Sequence, residues 1–209
     1  MTTDNQPIDG LMLLKGDHRT VEELFAAFEK ASGQQRKEQI ARQICTELKV
    51  HSMIEEEIFY PAFRGRINDE LIDEAIVEHD GAKLLINELE AAAPDEAYYD
   101  AKVKVLSEMI EHHVKEEEKQ RDNLFQQTRA ADIDLIALGA QLAARKAELM
   151  ARAEGEGLPP AEPATLQHEE IRAWPGAATT PSSPGSARPP PAWPPPFSRA
   201  AGSAARASG

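Results

Sequence analysis

Cysteine is nearly absent: Cys45 is the only one in 209 residues. That excludes an internal disulfide framework, suits a reducing compartment, and leaves Cys45 to be read as a small core residue. Long apolar runs are missing too. No stretch approaches the roughly 18 residues of a membrane helix, and the N-terminal "MTTDNQPIDG" lacks the basic and apolar regions of a signal peptide, so a soluble, cytoplasmic protein is expected, with no membrane partner. Positive charge is in deficit, 23 Lys and Arg against 36 Asp and Glu. An acidic surface repels phosphate backbones, so nucleic acid is not an expected partner. No phosphate-cradling glycine loop, nucleophile motif or cofactor fingerprint occurs, which argues against an enzyme for a dedicated organic substrate.

Proline is scarce over most of the chain and then abundant. Pro7, Pro61 and Pro94 are alone before residue 158, and 12 of the 15 prolines follow residue 157. The chain therefore divides into a body, 1–157, and a Pro/Ala/Ser-rich segment, 158–209, expected to be disordered with short polyproline II stretches such as "PPPAWPPP". The later segment holds three acids and four arginines, leaving the body with 33 acids, 19 bases and a formal charge of −14.

What fills the body is Ala, Leu, Glu, Lys and Gln with apolar residues at spacings of three and four, which predicts helices at about 10–31, 35–62, 69–92, 95–128 and 132–154. Short connections make long amphipathic helices antiparallel neighbours. The expected fold is all-α, an up-down-up-down four-helix bundle with an additional C-terminal helix, carrying Leu135, Leu138, Leu142 and Leu149, packed outside it.

Polar residues interrupt each inner stripe. The first runs Leu11, Leu14, His18, Val21, Phe25; the second Ile44, Leu48, His51, Glu55, Phe59; the third Ile72, Ile76, His79, Ala82, Ile86; the fourth Leu106, Ile110, His113, Glu117, Leu124. There is a repeat in this: a lone histidine, then 33 or 34 residues later an H-x-x-x-E, "HSMIE" and "HVKEE". Four residues turn a helix by about 400°, so each His-Glu pair points at one spot. A single histidine on an apolar stripe is ordinarily satisfied by a hydrogen bond. Four imidazoles and two carboxylates at one level are different, because burying them together needs a strong partner, and a pair of divalent cations offsets their desolvation directly. Imidazole with carboxylate suits iron, manganese or zinc rather than magnesium or calcium. His112 and Glu116 form a competing i,i+4 pair; alignment with His51 and Glu55 favours His113 and Glu117.

The segments "KGDHRTVEELFAAFE", "HSMIEEEIFYPAF", "VEHDGAKLLINEL" and "EHHVKEEE" together resemble the hemerythrin-like HHE cation-binding domain family, over roughly residues 9–150. The resemblance implies a non-haem, carboxylate-bridged di-iron centre with His18, His51, Glu55, His79, His113 and Glu117 as ligands, and dioxygen, peroxide or nitric oxide as small-molecule partners. Oxygen-carrying members place a further histidine where Lys83 stands here, and the fourth-helix motif lacks their proline-terminated ending. Fewer histidines leave coordination positions open, which chemistry on a small molecule requires. The expectation is thus a di-iron protein that binds small oxidants, with peroxide turnover or iron and oxygen sensing within reach; the alternative is a regulatory or iron-storage module governed by metal occupancy. Glu56, Glu57 and Glu118 read as solvated or as acids orienting a ligating imidazole, and Tyr60 as a packing residue or a redox neighbour.

Overall fold

Residues 9–166 are described by the computed structural model, and every regular element among them is helical. Asp9 accepts the Met12 N–H at 2.8 Å and starts α1 (Gly10–Lys30), since a carboxylate at the N-cap satisfies an otherwise orphaned donor. Gly33, at φ 87°, turns the chain into α2 (Gln34–Ile54), a backbone region that glycine enters without steric cost. A π-helical turn (Glu55–Phe59) and the short α3 (Tyr60–Phe63) follow. Asn68 caps α4 (Asp69–Ala91), α5 spans Tyr99–Glu118, α6 spans Leu124–Ala130, and Asp134 caps α7 (Leu135–Gly155) through the Ile136 and Ala137 amides.

The helices α1, α2, α4 and α5 close a four-helix bundle: α1 packs on α2 and α5, and α4 on α2 and α5. As expected, the last long helix lies outside, on α1, α2 and the π turn, burying Leu138, Leu142 and Leu149. Two apolar clusters fill the interior. One contains Val21, Phe25, Ile44, Leu48, Ile86 and Leu106; the other contains Leu14, Ile54, Phe59, Phe63, Leu124 and Leu142. A layer of buried histidines and glutamates lies between them.

Three boundaries differ from the expected ones. The helix expected over 35–62 runs to Phe63 but widens at Glu55–Phe59, where the Tyr60 N–H reaches back five residues to the Glu55 carbonyl. Pro61 has no N–H to offer Glu57, so the regular ladder is broken there in any case, and such turns favour functional sites. The helix expected over 95–128 begins at Tyr99 and ends at Glu118. Asp122 then takes a left-handed φ of 61°, and buried Asn123 caps α6 through the Gln126 N–H at 2.8 Å, a local side-chain bond that competes with helix continuation. Finally, residues 158–166, expected in the disordered segment, lie against the bundle because Asp80 and Asn87 accept their backbone N–H groups. The remainder of that segment, with "PPPAWPPP", falls outside the described residues.

Candidate metal centre

All six residues singled out by the repeat are at most 5 % exposed and stand at one level of the bundle. The Nε2 atoms of His18 and His51 are 3.0 Å apart, and those of His79 and His113 are 3.3 Å apart. Between these two imidazole pairs lie the carboxylates. Glu55 Oε2 is 3.1 Å from His51 Nε2 and 3.4 Å from His79 Nε2; Glu117 Oε2 is 3.5 Å from His18 Nε2 and 3.6 Å from His113 Nε2. Each carboxylate thus spans one histidine of each hairpin. The π turn opens at Glu55 and ends just before Tyr60, whose hydroxyl lies 3.1 Å from Glu117 Oε1 and 3.3 Å from Glu55 Oε2.

The outer ring nitrogens are held by acids. His18 Nδ1 lies 2.6 Å from Glu118, His79 Nδ1 2.9 Å from Glu56, His113 Nδ1 2.8 Å from Glu78, and His51 Nδ1 faces Asp17 at 3.5 Å. Most of these acids are anchored in turn: Glu118 by Arg19 at 2.8 Å, Glu56 by Lys83 at 2.8 Å, and Asp17 by Lys146 of α7. Of the acids left undecided by the sequence, Glu56 and Glu118 hold imidazoles, whereas Glu57 pairs with Arg145 at the surface. Asp17 and Glu78 were not anticipated. The signal for them is present: each immediately precedes the lone histidine of its hairpin, and Glu56 and Glu118 each immediately follow the H-x-x-x-E, so the repeat extends one residue beyond the histidines and glutamates at each end. His112 is 60 % exposed and lies 3.2 Å from Glu78 and 3.4 Å from Glu116 on the outside of the bundle.

This arrangement fixes what the centre lacks. An imidazole that donates Nδ1–H to an acid and is neutral has only a lone pair at Nε2. Two such lone pairs 3.0 Å apart repel unless a proton or a cation lies between them. Glu55 Oε1 and Glu117 Oε2 are also buried without any hydrogen-bond partner, a costly condition for carboxylate oxygens. The chemistry of the donor set therefore fits a metal: buried groups of His18, His51 and His113, of Glu55, His79 and His113, and of His18, Glu55 and Glu117 each present atoms within 4.8 Å of one another.

With protons alone the charges sort unevenly. Burial holds His18 down at about 4 against the pull of Glu118. Burial also opposes charge on His51, but the Glu55 carboxylate and the Asp17 hydrogen bond outweigh it and raise that ring to about 10. Glu117, buried and facing Glu55, is pushed up to about 8. Glu55, though buried, is held well below the usual carboxylate range by His51 and His79. Burial and both carboxylates raise the Tyr60 phenol, which stays protonated and donates.

A cavity of about 20 Å3 adjoins the four histidines; Val21, Leu48, Ala82, Ile86 and Ile110 give it apolar walls, with Asp17 and Ser52 beside them. It has room for a water-sized or diatomic molecule. Lys83 also lines it, with Nζ turned to Glu56 and Asp80.

The profile of the hemerythrin HHE cation binding domain matches residues 9–121. A solved hemerythrin HHE cation binding domain-containing protein from Mycobacterium kansasii superposes with a TM-score of 0.61 at 22 % identity, covering 72 % of this chain and 95 % of that one. A protein described as a DNA nickase, from Nostoc sp., is 26 % identical over 116 residues, which are 56 % of this chain and 33 % of that protein. The chain thus spans about a third of the length of that relative. No helix among the described residues is long and apolar enough to cross a membrane.

Proposed function

The chain belongs to the family of hemerythrin HHE cation binding domains, and from that premise we propose that its bundle holds two iron ions through His18, His51, Glu55, His79, His113 and Glu117 and uses them to bind a small oxidant. The observation that carries this reading is the pairing of facing Nε2 lone pairs with unpartnered carboxylate oxygens in a closed layer. Iron bound there would supply redox-active coordination positions, and six protein donors for two ions leave some of them free for dioxygen, peroxide or nitric oxide. The residues around it do the rest. Glu118, Glu56 and Glu78 fix the histidine tautomers and ring planes, Tyr60 orients both carboxylates, and the apolar walls of the adjoining cavity favour an uncharged diatomic over water.

Metal content per chain, measured by mass spectrometry on protein purified without added metal, tests this together with absorption spectra before and after reduction and on nitric oxide addition. Two irons per chain and a spectrum that responds to nitric oxide are expected. No metal above trace in folded protein would sink the proposal. A regulatory or iron-storage role rests on the same layer, because ligand burial links occupancy to folding; bound metal that raises Tm sharply, with no response to any of the three small molecules, would select it. The nickase description belongs to the Nostoc relative, and the acidic body of this chain works against a phosphate-backbone substrate.

A further inference from the structure

The stretch Leu158–Leu166, "LPPAEPATL", crosses the outside of the bundle: Leu158 packs against the second apolar cluster at its start, and beyond it Pro159, Pro160, Glu162, Ala164, Thr165 and Leu166 are all exposed. Polar anchors hold it. Lys49 Nζ reaches the Leu158 carbonyl at 3.5 Å; Asn87 exchanges two 2.8 Å hydrogen bonds with the Ala161 backbone; and the buried Asp80 carboxylate accepts the N–H groups of Ala164, Thr165 and Leu166 and the Thr165 hydroxyl, at 2.6–3.1 Å. Three prolines keep the stretch from forming a helix of its own. A segment fastened at a few polar points can therefore lift while the helices beneath remain folded.

Under it lies a cleft of about 260 Å3, roofed by Pro159, Pro160 and Ala161 and floored in part by Ser52, Glu56 and Lys83. Ser52 and Lys83 also line the small cavity beside the four histidines. Two side chains thus face both the covered cleft and the cavity beside the candidate centre, and Glu56, on the cleft floor, reaches His79 itself. Lys83 is tied to both sides of it, donating to Glu56, which holds His79, and lying 3.4 Å from Asp80, the main anchor of the stretch. A second cleft, on the α1–α5 face, meets the inner cavity only at the apolar Ile110.

We propose that Leu158–Leu166 is a strap closing the entrance by which small uncharged molecules reach the metal centre, with Ser52 and Lys83 as the inner gate. The proposal rests on the metal-centre reading for the identity of what passes, but the entrance itself is testable without metal. On a Cys45→Ala background, Ser52→Cys would be labelled with methyl methanethiosulfonate in the metal-free full chain. Two variants loosen the strap: Asn87→Leu, and Ala161→Pro, which removes the N–H given to Asn87 and leaves every helix residue unchanged. Each should speed labelling roughly tenfold while helix content by circular dichroism stays unchanged. Equal rates in both variants would overturn the strap whether or not the protein binds iron. In iron-loaded full chain with Ser52 restored, stopped-flow association of nitric oxide should accelerate in the same two variants with the same final spectrum. Faster labelling without faster association would place the entrance elsewhere, with the α1–α5 face the next to be probed, and would equally defeat the proposal.

Discussion

The hairpin α1–α2 and the hairpin α4–α5 contribute the same inner set, and the geometry repeats: each lone histidine is held by the acid that follows the H-x-x-x-E of the other hairpin, and each second histidine faces the acid preceding its own hairpin's lone one. What differs is the surroundings. The first hairpin carries the π turn, Tyr60 and the cover of α7, whose Lys146 anchors Asp17. The second has none of these, and Glu78 is instead shared between His113 and the exposed His112. Near-symmetric ligands thus sit in asymmetric fields, with Glu55 held low and Glu117 pushed up to about 8. Two sites of equal composition need not be of equal affinity.

The largest test of that comparison is removal of the carboxylates. Glu55→Ala and Glu117→Ala should each reduce iron to one ion per chain or fewer, since each carboxylate spans both hairpins; retention of two ions in either variant, by mass spectrometry, would break the symmetric reading. Next come the outer acids. Glu78→Gln should weaken metal binding by about 10–100-fold in a chelator competition, whereas Asp17→Asn, whose contact with His51 is longer, should weaken it less and lower Tm through loss of the Lys146 pairing.

Acidity sharpens the contrast further. In the metal-free chain the folded state binds protons more tightly at Glu117, raised from 4.5 to about 8, and at His51, raised from 6.5 to about 10. Their contribution is therefore complete at low pH and is lost as pH rises through those values. Glu55, Glu56, Glu118, Asp17 and His18, the last lowered from 6.5 to about 4, act oppositely, losing their contribution as pH falls through the acidic range. Metal-free Tm should fall from near-neutral to alkaline pH, where His18 no longer offsets Glu117, and the increase in Tm on adding metal should grow over the same interval as metal replaces protons; thermal scans of both forms decide this. A smaller effect is expected for Tyr60→Phe, which removes a buried donor and should cost about 1–3 kcal/mol in chemical denaturation. The smallest belongs to His112→Ala: metal stoichiometry unchanged and stability within about 0.5 kcal/mol, because that ring is at the surface.

Much of this was legible before folding was considered. A 3.6-residue period carries the helices, and the interruption of four apolar stripes by His and Glu in a repeated order marks the centre, because a buried polar residue has few physical justifications. The same repeat, read one residue further at each end, holds the acids Asp17, Glu56, Glu78 and Glu118. They were harder to recognise because acids are common on helix surfaces, and a side chain that leans inward differs from one in solvent only by its neighbours. His112 and His113 illustrate the same limit: adjacent in sequence, they point about 100° apart around the helix, and packing alone buries one.

By itself, then, the sequence determined the helices of the described residues, four of them antiparallel neighbours, and the six polar residues at one level, since these follow from local periodicity. The tertiary structure decided where the ladder widens at Glu55, how α5 breaks before Asn123, which acid meets which imidazole, and that Leu158–Leu166 folds back over Asp80. Those features depend on groups tens of residues apart meeting at hydrogen-bonding distance, and a helical period carries no information about that.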